Sequence, residues 1–593
     1  NFKLYFIFMK NFIKTVLANV IALFIAGLLL PFFLLFIIVI IGSASSSDKD
    51  IKIKENSVLT IDFKSKIVEH ENESEASMFD LKDDAELKYQ DILNAIETAK
   101  NDDKIKGISI ELDDIDAGIT QIDDIRKSLE DFKKSNKFVY AYGNNVSQAS
   151  YYLGSVADQY FLNPVGGIEL KGLSSEVVFL KEFAEKYGIN INVIRHGNFK
   201  AAVEPFLRNE MSPENKEQMT ALLNDTWGEI SSKIIQSRKL DATEFKTVVD
   251  SLYATIPDLS LKYKLADKLV QKSEYEEIIK NKLNVGKDEK LNKVSIRNYA
   301  FSQVDTKTND NKIAVLYASG TIYNGNKYSD IHSERYIQYI KNLAQDDNIK
   351  AVVLRVNSPG GSANASDEIL YELQQLKQKK PLIISFGDYA ASGGYYISMA
   401  GDRIFAQNNT ITGSIGVFGV IPDAKNLANR NGIYSDVVST NANSNMISPF
   451  SGLSSGTLAI AQRSVVNTYN RFVHFVSKNR KKTAEEVDAV GSGRVWSGKR
   501  AKEIGLVDEI GSLNDAVKYA ANKANIAEYE AVSYPEKVDK FEQIMGNLRQ
   551  GNIAESYVKS QISEENYQLF KVFSDQNFKN SIQMAMPYII RIK

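Results

Sequence analysis

The chain has 593 residues, 44% of them apolar and 25% charged, a composition that belongs to a folded protein too long for one ordinary domain. A net charge of −2 with no dense basic stripe lacks the electrostatic footprint of a nucleic-acid binder, so no nucleic-acid partner is expected. The absence of cysteine excludes disulfides, thiolate metal sites and a cysteine nucleophile; the four histidines, His70, His196, His332 and His474, form no i, i+4 pair, so no metal site and no cofactor is expected.

The amino terminus carries the first strong signal. Val16 to Gly42 runs uncharged and mostly apolar, long enough to span a bilayer and too long for the core of a cleaved signal peptide. Lys3, Lys10 and Lys14 precede this run, and the "SASSSDKD" that follows is mixed in charge. The positive-inside rule therefore predicts an uncleaved anchor with its amino terminus in the cytoplasm and the bulk of the chain outside, Met9 being a candidate initiator.

Beyond the anchor the chain repeats itself. "NDDKIKGISIEL" at 101–112 aligns with "QDDNIKAVVLRV" at 345–356, an offset of 244 residues. The same offset carries Asp123, Ile125 and Leu129 onto Asp367, Ile369 and Leu373, Tyr151 and Tyr152 onto Tyr395 and Tyr396, and Gly172 onto Gly416. Each copy opens on a strand, "SVLTIDF" at 57 or "KIAVLYASGTI" at 312, and continues through alternating strands and helices. That alternation predicts two α/β domains, each with helices packed on a sheet.

The expected organisation is an anchor at 1–47, the first strand of repeat one with a charged linker and solvated loop at 48–90, a first domain at 91–283, a linker at 284–311, a second domain at 312–535 and a helical tail at 536–593. The tail ends in "MAMPYIIRIK", read as a packing or assembly element or an interfacial membrane contact.

The offset also serves as a ruler on the chemistry. Ser392, in "DYAASGGYY", falls on Gln148 of the first copy, and Gly360 and Gly361 of "NSPGGSA" fall on Asp116 and Ala117. Conversely Lys200, in "FKAAVEPF", falls on Ser444. Each copy retains what the other has lost.

A serine hydroxyl needs a neighbouring base to become a nucleophile, and a lysine amine serves when burial keeps it uncharged. Phe199, Ala201, Ala202 and Val203 surround Lys200 with apolar groups, and no carboxylate intervenes before Glu204. Gly361, in a glycine turn after the strand "AVVLRVN", and Gly393, after the serine, are the candidate oxyanion-hole donors. Ser414 in "ITGSIGVFG" is placed to orient the lysine; His196 and His332 are the rival bases. No Gly-Lys-Ser/Thr follows the glycine turn, so it is not a phosphate loop, and Ala390 breaks the G-x-S-x-G pattern of an α/β-hydrolase.

With "DYAASGGYY", "NSPGGSA", "TGSIGVFG" and "FKAAVEPF" in this set, the chain resembles the tandem-domain signal peptide peptidase A family, from about residue 50 to its end together with the anchor. The resemblance implies two Clp protease/crotonase-like domains and a serine protease with a Ser/Lys dyad, matching Ser392 and Lys200. It further implies a bowl-shaped homotetramer on the outer face of the cytoplasmic membrane that cuts leftover signal peptides and other apolar peptides. Two other readings remain from the residues themselves: a crotonase-like acyl-CoA enzyme, which needs neither the serine nor the anchor, and a non-catalytic membrane scaffold.

Overall fold

The computed structural model describes residues 14, 16, 19, 24, 25, 27, 29, 52–63, 66–70, 87–302, 309–328, 330–536 and 582–586. Residues 1–52 and 53–593 are separate units. In the first, the seven described residues from Lys14 to Leu29 are helical and exposed, and the expected span from Val16 to Gly42 otherwise lies outside the described residues. Among the described residues no helix is long and apolar enough to cross a membrane.

In the second unit the duplication is visible element by element. The helices Tyr89–Asn101 and Ser333–Gln345 bury corresponding stripes, Ile92, Ile96 and Ala99 in one, Tyr336, Ile340 and Leu343 in the other. This is the spacing that keeps one helical face against a sheet. The strands they cover are apolar on both faces, as in Ile349–Ser358, where eight of ten residues are buried.

The first repeat forms a six-stranded sheet in the order Lys268–Leu269, Gln159–Ile168, Phe138–Val146, Ile105–Glu111, Ser57–Ile61, Lys293–Ser295, every pairing parallel. The second repeats this plan with Ile349–Ser358 between Lys312–Ser319 and Leu382–Ala391. One apolar cluster runs through both, from Ile108 and Leu129 to Val353 and Val517, so the repeats share a core.

A third, smaller sheet joins the halves and carries the site. Its order is Ile331–His332, Ile322–Tyr323, Gly360–Ser362, Gln583–Ala585, Val417–Asp423, Asn190–His196. First-repeat residues 190–196 run antiparallel to second-repeat residues 417–423, with His196 opposite Val417.

Three expectations need correction. Residues 284–311 are not simply a linker: Lys293–Ser295 completes the first sheet beside Ser57–Ile61, and Ile296–Ser302 is a helix, because Val294, Ile296 and Tyr299 are buried despite their charged surroundings. The loop after residue 68 is not wholly solvated, since Glu69 is 1% exposed and makes a two-pronged ion pair with Arg355 of the second repeat at 2.9 Å on each oxygen. Within the tail, the described residues Gln583–Ala585 form a strand rather than a helix, because they lie between two strand edges whose backbone groups they pair with.

The buried Arg355–Glu69 pair predicts a stability effect. Arg355→Met strands a buried carboxylate and is expected to lower unfolding free energy by about 3–5 kcal/mol. Removing both charges in Arg355→Met/Glu69→Leu should recover most of that loss in a chemical-denaturation series. Equal losses in single and double variants would show that the pair is not what couples the loop to the sheet.

Candidate active site

Ser392 ends the buried strand Leu382–Ala391 and starts the short helix Gly393–Ile397. Its backbone is forced into φ 55°, ψ −113°, a conformation that non-glycine residues rarely adopt. The turn is held by Ser392 N–H donating to the Gly413 carbonyl at 2.9 Å and by Tyr396 N–H donating to the Ser392 carbonyl at 2.8 Å. Such a strand-to-helix turn projects the hydroxyl out of the sheet. It does so here with glycines on one side only: a Cβ at Gly393 would lie 2.8 Å from Ser366 Oγ, and one at Gly394 2.7 Å from the Ser358 carbonyl oxygen.

Lys200 arrives from the other repeat. The pairing of Asn190–His196 with Val417–Asp423 brings the chain to the site, and Gly197, at φ 96°, turns it inward. Phe199 N–H then donates to the Ser492 carbonyl at 3.0 Å, and the Phe199 carbonyl accepts from Gln218 Nε2 at 3.1 Å. Two glycines make room for the lysine. A Cβ at Gly493 would fall 2.6 Å from Lys200 N, and one at Gly416 would fall 3.1 Å from its Cδ.

Lys200 Nζ lies 2.9 Å from Ser392 Oγ, 2.9 Å from Ser414 Oγ and 3.2 Å from the Ser414 carbonyl oxygen. Lys200, Ser392 and Ser414 are all 0% exposed. Burial alone pushes the lysine amine well below its ordinary range, and no carboxylate opposes the shift. An amine that is uncharged has two N–H donors and one lone pair. Ser414 supplies two acceptors, which leaves the lone pair for the Ser392 hydroxyl.

Both oxyanion candidates lie against Met584. Gly361 pairs with Met584 in the small sheet, and a Cβ on the neighbouring Gly360 would meet Gly393 N at 2.6 Å. Met584 O occupies this corner, 2.0 Å from a Cβ built on Gly360 and 3.1 Å from one built on Gly393. The rival bases are elsewhere engaged: the His196 ring packs on Tyr469 at 4.0 Å between centroids and the His332 ring on Tyr323 at 5.4 Å. Among the described residues no cluster of His, Asp and Glu is arranged to hold a metal.

The corresponding corner of the first repeat is plugged. Gln148 Oε1 accepts from Lys171 N–H at 3.0 Å and Gly172 N–H at 2.9 Å, and its Nε2 donates to the Gly172 carbonyl at 3.1 Å. Three residues escaped the sequence reading: Gly416, Gly493 and Gln218. Gly416 was in view inside "TGSIGVFG" and Gly493 stands in "VGSGRVW", but only the folded approach of Lys200 gives either a role.

Comparison with known proteins places this chain in a family. A model of peptidase family S49 matches residues 131–286 and 374–527, and a Clp protease model matches residues 305–412. Protease 4 of Haemophilus influenzae is 37% identical over 455 residues, 74% of this chain and 74% of its own length. Protease 4 of Salmonella typhi is 34% identical over 77% of this chain and 75% of its own. A putative signal peptide peptidase SppA of Enterococcus faecium is 33% identical over 38% of this chain and 67% of its own. Two matched copies, two relatives similar over three quarters of their length and the tandem Clp protease-like α/β architecture lead to one conclusion: the chain belongs to peptidase family S49 and is a serine protease.

Proposed function

We propose that the protein is a membrane-anchored endopeptidase in which Ser392 is the nucleophile and Lys200 its base, and that its substrates are cleaved signal peptides and other apolar peptides. The observation that carries this reading is the 2.9 Å approach of Nζ to Oγ between two fully buried residues. In the first step Ser392 Oγ attacks the scissile carbonyl carbon while its proton passes to the neutral amine. The N–H groups of Gly361 and Gly393 receive the oxyanion, and Ser414 fixes the direction of the amine. Lys200 then returns the proton to the leaving nitrogen, and water hydrolyses the acyl-enzyme.

The substrate class is supported by the apolar residues around the dyad. Val203 and Phe418 form one buried cluster with Ala585, and Leu222, Ala391, Ile411 and Val495 form another with Met586. An extended peptide would bind among them by strand addition, its backbone paired and its side chains against these apolar groups. The uncharged run from Val16 to Gly42 supports a single-pass anchor in the cytoplasmic membrane, with the body on the outer face. A homotetramer is supported by the exposed apolar residues Ile433, Tyr434, Val437, Val438 and Phe450, a surface suited to a neighbouring copy.

Ser392→Ala and Lys200→Ala are each expected to lower turnover of an apolar reporter peptide by at least about 10⁴-fold, and Ser392→Ala to abolish labelling by a fluorophosphonate. For the intact enzyme kcat/KM should follow the fraction of neutral amine, falling about tenfold per pH unit below the depressed pKa of Lys200. A Lys200→Ala variant with full activity would remove lysine from the mechanism.

A buried amine also costs stability. Because the folded state disfavours the proton that the unfolded chain binds, Lys200→Met should raise unfolding free energy by about 1–3 kcal/mol near neutral pH, with a higher Tm. The gain should shrink as pH approaches 10.5, where the unfolded lysine also loses its proton. A lower Tm for Lys200→Met would contradict the desolvated site.

A further inference from the structure

A buried polar chain lies beside the dyad. Glu204, four residues after Lys200, is 0% exposed, and Asn215 and Gln218 are each 1% exposed. Glu204 Oε2 accepts from Ser212 N–H at 3.2 Å and from Asn215 Nδ2 at 2.9 Å, and Asn215 Oδ1 accepts from Gln218 Nε2 at 3.2 Å. The chain ends on backbone: Gln218 Nε2 also donates to the Phe199 carbonyl at 3.1 Å, and Gln218 Oε1 accepts from Val495 N–H at 3.2 Å. A carboxyl oxygen that takes the Asn215 NH2 turns Asn215 Oδ1 toward Gln218, and that acceptor in turn directs the Gln218 NH2. The backbone requires the same orientation, because a carbonyl at Phe199 needs a donor and an N–H at Val495 needs an acceptor. Glu204 Oε1 is left buried without a hydrogen bond, which costs stability.

The two backbone groups that Gln218 joins belong to the two halves of the dyad. Phe199 precedes Lys200 in the chain. Val495 pairs with Gly413 in the second sheet, and the Gly413 carbonyl accepts from Ser392 N–H at 2.9 Å. One side chain therefore spans from the backbone that carries the amine to the strand that holds the hydroxyl. The helix has no need of it: Pro213–Arg238 and Ser455–Arg480 are both 26 residues long, and the second has Ile460, 58% exposed, at the sixth position, where the first has Gln218.

We infer that Gln218 is a positioning residue of the peptidase reaction, acting through Lys200, and that Glu204 and Asn215 orient its amide. The inference rests on the reading of Lys200 as the base. The bond to Phe199 fixes where the lysine side chain starts, and the bond to Val495 refers that starting point to the strand behind the serine. Without the amide the Phe199 carbonyl keeps its bond from Ala201 N–H at 2.8 Å, and Val495 keeps its place opposite Gly413. Both segments then stay folded, and what is lost is the tie between them. The serine turn keeps its own bonds, so the effect falls on the amine.

Hydrolysis of an apolar reporter peptide by the full chain in detergent, with thermal unfolding of each variant, tests this. Gln218→Met, close in size but without either hydrogen bond, should lower kcat about 10²-fold with KM unchanged, the cost of moving a reacting group by about 1 Å. Gln218→Glu keeps an acceptor for Val495 N–H but sets a carboxylate oxygen against the Phe199 carbonyl, and should lose as much. A double-mutant cycle read by the rate of fluorophosphonate labelling of Ser392 separates positioning from damage to the fold. Gln218→Met should slow labelling about 10²-fold when Lys200 is present. In a Lys200→Ala background it should change the rate by no more than about twofold, because the amine it places is gone. Equal losses in both backgrounds, a rise in KM alone, or full activity in either Gln218 variant overturns the inference and leaves the proposed function standing. Failure of both Gln218 variants to fold assigns the residue to the fold and also overturns the inference. A Lys200→Ala enzyme as active as the wild type overturns the proposed function, and the inference with it.

Discussion

An amine whose pKa is pushed well down by burial is the constraint on which the proposed site depends. Lys200 Nζ touches two serine hydroxyls and a carbonyl, and among the described residues no carboxylate contributes to its titration. Water is kept out by Phe418, whose ring centre lies 5.9 Å from Nζ, and by Val203, and the strand at Ala585 closes over both. In the proposed mechanism a bound peptide would supply the reacting carbonyl and add to the burial of the lysine.

The duplicated fold supplies this arrangement by giving its two halves different tasks. In the second repeat the strand-to-helix turn sets Ser392 against Lys200; in the first, the equivalent corner is filled by Gln148, which satisfies the backbone of residues 171 and 172. The first repeat sends out the strand Asn190–His196 instead, and its pairing along Val417–Asp423 fixes the distance between lysine and serine. The offset places 434–440 opposite 190–196, and those second-repeat residues are not in a strand. The asymmetry is thus structural as well as chemical. The shared core and the Arg355–Glu69 pair hold the halves in the register this reach requires.

Much of this was legible in the sequence because it depends on local pattern. The 244-residue offset exposed the duplication and, by subtraction, the complementary losses at Gln148 and Ser444; the apolar flanks of Lys200 announced a lysine out of water. What was not legible depends on distant partners. Gly493 looks like any turn glycine until Lys200 backbone stands where its Cβ would be. Val294 and Ile296 sit among charged and polar residues, so a three-residue edge strand passed for linker. "QMA" at 583–585 has no strand signature; it is extended because the edges at Gly360–Ser362 and Phe418 impose that conformation on whatever lies between them.

The most direct measurement is the titration of the Lys200 amine itself, followed through the ¹³Cε and ¹⁵Nζ resonances of lysine-labelled protein carrying Ser392→Ala. The account predicts that this one lysine stays unprotonated far below the ordinary value of 10.5, apart from the exposed lysines of the same chain. A Lys200 signal that titrates together with those exposed lysines would contradict it.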